Sequence, residues 1–120
     1  MDDNRQKRIA LALGTSIAKM RAQKNLTQEQ VAEKLGVGNE AISRIERGAV
    51  MPPLIRLFEF AELFGCRVDE LLLSASDRAT DQAAFLSQAI EHLNPSDREL
   101  VLNLVEQLSA RLTQPTKIKK

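Results

Sequence analysis

At 120 residues, with 43% apolar and 28% charged residues and a net charge of +1, the chain can build one hydrophobic core and a small appendage. No apolar run approaches the roughly 20 residues of a membrane span, and the start, MDDNRQKRIALALG, is too interrupted for a signal peptide. A cytoplasmic protein without membrane contact is therefore expected.

Four Phe and no Tyr or Trp leave Leu, Ile, Val and Ala to fill the core. The single cysteine, Cys66, excludes an internal disulfide and a cysteine-based zinc site. Its apolar neighbours in FGCRVDELL suit a small buried hydrophobe better than a reactive thiol. His92 has no Asp, Glu or Cys cluster around it and reads as a helix-surface or interface residue. No metal, cofactor or catalytic constellation emerges, and an enzyme is not expected. Charge is unevenly spread: residues 1–56 hold ten Lys/Arg against six Asp/Glu, and residues 57–120 hold seven against ten. The basic half is the candidate face for a polyanion.

In chain order, the periodicity predicts a helix from Arg8 to Lys24, with Ile9, Leu13, Ile17 and Met20 as its stripe and Leu11 and Ala18 widening it. Asn25 ends it. LTQEQV is a helix start: Thr27 caps, Gln30 reciprocates, and Leu26 and Val31 staple the first turn. That helix stops at Gly36, and the next runs from about Gly38 to Gly48 with Ile42 and Ile45 inward. Pro52 and Pro53 suit a helix start, LIRLFEFAELFG is a compact apolar helix, and VDELLL adds a last short one. The polar stretch SASDRATD reads as a linker or cap. Residues 79–93 then place Ala79, Ala83, Leu86, Ile90 and Leu93 on one face. A final helix opens at LNPSDREL, with caps at Asn94 and Ser96, and carries Val101, Leu104, Val105, Leu108 and Leu112. The organisation expected is all-α: a domain over 8–74, a C-terminal helical segment over 75–113 and a basic tail over 114–120.

The break inside VAEKLGVGNEAISRIERG gives the middle of the chain its meaning. Two helices this short cannot stand alone. Gly36 allows the left-handed backbone that turns one onto the other as a helix-turn-helix, with Ala32 permitting a close crossing. Asn39, Glu40, Ser43 and Arg44 are then left on the outer face of the second helix.

The stretch LTQEQVAEKLGVGNEAISRIERG, with MRAQKNLTQ before it and FGCRVDELL after, resembles the helix-turn-helix of lambda-repressor-like (Cro/C1 or XRE) transcriptional regulators. The resemblance extends from about Ile9 through Leu73 and implies a five-helix DNA-binding domain. It places Gln28 against a phosphate and Asn39, Glu40, Ser43 and Arg44 at base-reading positions. Their chemistry agrees: Asn can bond adenine, Arg can grip guanine, Glu can accept from cytosine, and Ser is permissive. Arg47, at the helix end, is expected on a phosphate. Arg21 and Glu46 match a family pair that forms a salt bridge between the first and third helices.

Three departures from the family pattern stand out. Gly38 replaces a usual Ser or Thr, Ala49 and Val50 replace residues that are often basic, and Pro53 takes a usual cap position. Arg56, Lys24 or an N-terminal arm, Arg5-Gln6-Lys7-Arg8, are the candidates to restore the backbone grip. The expected function is a dimeric regulator, most often a repressor in this family, that binds a palindromic operator in double-stranded DNA. The stripe Val101, Leu104, Val105, Leu108 and Leu112 is its expected homodimer interface. Folding back onto the first domain is the structural alternative for those helices. An antitoxin or anti-regulator holding a protein partner through them is the functional one.

Overall fold

The computed structural model describes residues 2–113, and the basic tail expected over 114–120 lies outside them. Seven helices are found among these residues, and no strand: α1 (Asp3–Gln23), α2 (Gln28–Leu35), α3 (Asn39–Glu46), α4 (Leu54–Phe64), α5 (Val68–Ala75), α6 (Ala79–Ile90) and α7 (Pro95–Thr113). No helix among them is long and apolar enough to cross a membrane. Two compact units, one ending at Phe85 and the other beginning at Leu86, are described separately.

In the first unit, Leu13, Ile17, Val31, Ile42, Ile45, Leu57, Phe60, Phe64 and Leu71 form a single buried cluster drawn from α1 to α5. The rings of Phe60 and Phe64 stack with centroids 5.8 Å apart, one helical turn from each other on α4. Local signals set the element ends. Thr27 Oγ1 accepts from Gln30 N at 3.0 Å while Gln30 Oε1 accepts from Thr27 N at 2.8 Å, closing a capping box on α2. Gly65, with φ of +68°, ends α4.

Two expectations for α1 are corrected. The helix begins at Asp3, five residues before Arg8, because the Asp2 side chain caps it by accepting from Arg5 N at 2.7 Å. The segment Arg5-Gln6-Lys7-Arg8 is thus helix and not an arm. Leu11 is 54% exposed and does not widen the buried stripe. It lies about 200° around the helix from both Ile9 and Leu13, while Ala10 and Gly14 take the buried positions instead.

Cys66 is partly buried; burial, then the Glu70 carboxylate, pushes its thiol above the ordinary cysteine value. Its Sγ donates to Met20 Sδ at 3.7 Å, so it is a packing residue.

The second unit is a helix end, a turn and α7. The helix expected over 79–93 stops at Ile90, which puts the exposed His92 in the turn. Arg98 seals that end: its guanidinium donates to the carbonyls of Ile90, Glu91 and Leu93 at 3.3, 3.1 and 2.9 Å. Asn94 caps α7 by accepting from Asp97 N at 2.8 Å. Neither α6 nor α7 contains a buried residue. Leu104, Val105, Leu108 and Leu112 are all exposed, and Val101 is only half-buried.

Candidate nucleic-acid interface

The turn between α2 and α3 is built on Gly36, which has φ of +71° and ψ of +31°. Its N–H and that of Val37 close back onto α2, the latter donating to Ala32 O at 2.9 Å. Val37 packs against the core, and α3 starts at once from Gly38, which supplies no side-chain cap. Both sides of α3 are then fixed by its period. Ile42 and Ile45 are buried; Asn39, Glu40 and Arg44 are exposed and Ser43 is half-buried. The structure therefore carries all four candidate base-reading residues on the side of α3 that the core does not use.

A buried carboxylate fastens that helix to its neighbours. Glu46, with a side chain only 6% exposed, accepts from Arg21 Nε at 2.7 Å and Nη2 at 3.1 Å. Arg21 Nη1 also donates to Leu26 O at 2.7 Å. Gln28 Nε2 donates to the same carboxylate at 2.8 Å, so its amide is oriented at the start of α2 with one N–H to spare. The hydrogen bonds to Glu46 raise the Arg21 pKa above the ordinary arginine value, so the guanidinium keeps its charge in the clamp. One clamp thus joins α1, α2 and the C-terminus of α3.

The remaining candidates are placed differently. Arg47 Nη1 donates to Ser43 Oγ at 3.2 Å, and its Nη2 lies 3.5 Å from Glu40. Arg44 has no side-chain hydrogen bond or ion pair among the described residues. Arg56 is paired with Glu59 one turn along α4. Lys24, at the end of α1, is exposed and lines a cleft with Cys66 and Glu70. The apolar stripe expected at a dimer interface, Val101 to Leu112, belongs to the other unit.

Two glycines carry structural weight beyond the sequence reading, which gave Gly48 only as a helix end and Gly14 no role. A Cβ on Gly14 would lie 2.3 Å from Ile45 O and 2.7 Å from Glu46 O. At Gly48, which has φ of +76°, it would lie 2.6 Å from Leu11 Cα. The backbone of α1 therefore lies directly against the end of α3 and against Gly48 just beyond it. A glycine inside the helical run LALGTSIA was the available signal, since it costs about 1 kcal/mol against Ala without such a contact.

A helix-turn-helix family model matches residues 17–71, which hold the turn, the clamp and every core residue named above except Leu13. An HTH-type transcriptional regulator of Methanocaldococcus jannaschii is 40% identical over 57 residues, covering 48% of this chain and 86% of the relative. The chain belongs to the Cro/C1-type helix-turn-helix transcriptional regulators. Two further relatives align with this regulator beyond the helix-turn-helix. The cryptic phage CTXphi transcriptional repressor RstR of Vibrio cholerae is 27% identical over 97 residues, 81% of this chain and 87% of the relative. ImmR of Bacillus subtilis is 28% identical over 97 residues, 78% of this chain and 76% of the relative. Family membership makes the regulator a DNA-binding protein and not an enzyme.

Proposed function

We propose that the regulator is a dimeric repressor that sets α3 of each subunit into successive major grooves of a palindromic operator. One observation carries the dimer: α7 bears an apolar face and has no buried residue. At 100° per residue, Leu100, Leu104, Leu108, Val101, Leu112 and Val105 fall within an arc of about 140°, wider than a single neighbouring helix covers. A second copy supplies the missing cover. Pairing also fits the chemistry of recognition, since one eight-residue helix reads too few bases for specificity, and half-site centres about 34 Å apart follow from the two-fold. The similarity to the phage repressor RstR supports repression as the outcome.

In this reading Arg44, Asn39, Glu40 and Ser43 read base edges. Gln28, with its spare N–H, and Arg47 grip phosphates flanking them. Lys24, exposed at the end of α1, and Arg56, which must exchange its Glu59 partner to do so, are the further phosphate candidates. The DNA-binding domain over 8–74 and the dimerisation segment over 75–113 are part of the same proposal, as is work in the cytoplasm, where the DNA is.

Selection of duplexes from a random library at near-physiological salt tests it. An enriched palindrome with regularly spaced halves is the expected result. Arg44→Ala should lose the preference at one position per half-site and cost about 1–3 kcal/mol on the selected site. Absence of any enriched sequence would overturn specific recognition. Leu104→Glu combined with Leu108→Glu should give monomers by light scattering without loss of helix content. A dimer of unchanged mass in that variant would remove α7 from the interface.

A further inference from the structure

The loop that leaves the recognition helix, Gly48-Ala49-Val50-Met51, carries no cation, yet its position calls for one. A recognition helix presents its N-terminal residues to the base edges, so the segment leaving its C-terminus lies on the side of the DNA backbone. The close approach of Gly48 to the Leu11 backbone pins this loop against α1. One turn earlier, Gln6, Lys7 and Ala10 face Gly48 to Met51 across an open cleft of about 550 Å³, with Asp3 at its edge.

The basic run Arg5-Gln6-Lys7-Arg8 is divided by this geometry. Arg5 turns away from the loop and donates to both carboxylate oxygens of Asp77 at 2.9 and 3.2 Å, and Arg8 Nη2 lies 3.6 Å from the same carboxylate. Those hydrogen bonds, chiefly from Arg5, hold Asp77 below the ordinary aspartate pKa, so the pairing is formed throughout the neutral range. Lys7 and Gln6 stay exposed in the cleft, and Lys7 makes no ion pair among the described residues.

We propose that Lys7, assisted by the Gln6 amide, binds a DNA backbone phosphate beside the C-terminal end of the recognition helix, in place of the cation that the loop lacks. The inference rests on the DNA-binding reading and adds a contact to it. An ammonium is suited to the task because it meets a phosphate as a mobile point charge from across a cleft. The Asp3 carboxylate at the edge opposes the same phosphate and limits the gain.

The test is the salt dependence of binding to the selected operator and to a scrambled duplex, using the full chain with helix content checked by circular dichroism. Lys7→Ala should weaken both complexes by a similar factor and reduce the slope of log K against log salt by about 0.9, the loss of one phosphate contact. Lys7→Arg should retain the slope, and Asp3→Asn should tighten both complexes. Arg8→Ala, which removes a neighbouring charge of the same sign, should leave the slope near that of the unaltered protein. An unchanged slope in Lys7→Ala, or an equal loss in Arg8→Ala, would overturn the contact while leaving the DNA-binding reading in place. No salt-sensitive DNA binding by the unaltered protein would overturn both.

Discussion

Gly14→Ala should destabilise the first unit by about 2–3 kcal/mol, a lowering of the melting midpoint by roughly 10 °C. In an exposed helix interior the same change would stabilise by about 1 kcal/mol, because alanine restricts the unfolded chain and glycine does not. Here the new methyl would sit 2.3 Å from Ile45 O, 2.7 Å from Glu46 O and 2.9 Å from Glu46 C. All three are backbone atoms, so no rotamer change can make room. The carbonyl of Ile45 is also fixed from the far side, where Gly48 N donates to it at 3.0 Å. Relief requires α1 and the end of α3 to separate, and that movement strains the Arg21–Glu46 clamp and the Leu13 and Ile17 packing together. Affinity for DNA should fall in parallel, since α3 is the element displaced. Urea unfolding followed by circular dichroism checks the stability. A midpoint equal to or above that of the unaltered protein would show that α1 is free to shift off α3.

How much of this was readable in the sequence depends on how local each cause is. The capping box at Thr27 and Gln30, the left-handed turn at Gly36 and the helix stop at Gly65 are made by residues within a few positions of one another, and all were legible. So was the outward face of α3, because the buried Ile42 and Ile45 fix it through the helical period. The start of α1 was not, since Asp3 to Arg8 have no apolar pattern and only the Asp2 cap marks the end. Leu11 departs from the expectation for a related reason: an apolar pattern over a few turns accommodates one extra apolar residue that the 100° step places outside the buried face. Arg5 and Arg8 meet Asp77 from more than 65 positions away, so their diversion from the DNA side had no local trace. The contact at Gly14 is intermediate, for the glycine is visible but its partner, the end of α3, is supplied only by the fold. On α7 the apolar face was legible and its cover was not, because the cover belongs to another chain in the proposed dimer.

Glu46→Ala should cost about 2–3 kcal/mol, below the ~3–5 kcal/mol of a fully buried pair because the Arg21 side chain is 20% exposed and keeps its bond to Leu26 O. The loss comes less from the missing attraction than from what stays behind. Three N–H donors, two on Arg21 and one on Gln28, lose their acceptor, while the alanine leaves too little space for water to replace it fully. A second variant separates stability from function. Replacing the pair together, as Arg21→Met with Glu46→Leu, removes both charges and fills the space with apolar volume, so most of the lost stability should return. DNA affinity should not return with it, because Gln28 has still lost the carboxylate that aims its amide at the start of α2. Unfolding midpoints and operator affinities for the two variants therefore diverge in this account. Recovery of both in the double variant would reduce the clamp to a packing element with no part in presenting Gln28. A cost below about 0.5 kcal/mol for Glu46→Ala would place the pair with ordinary surface ion pairs instead.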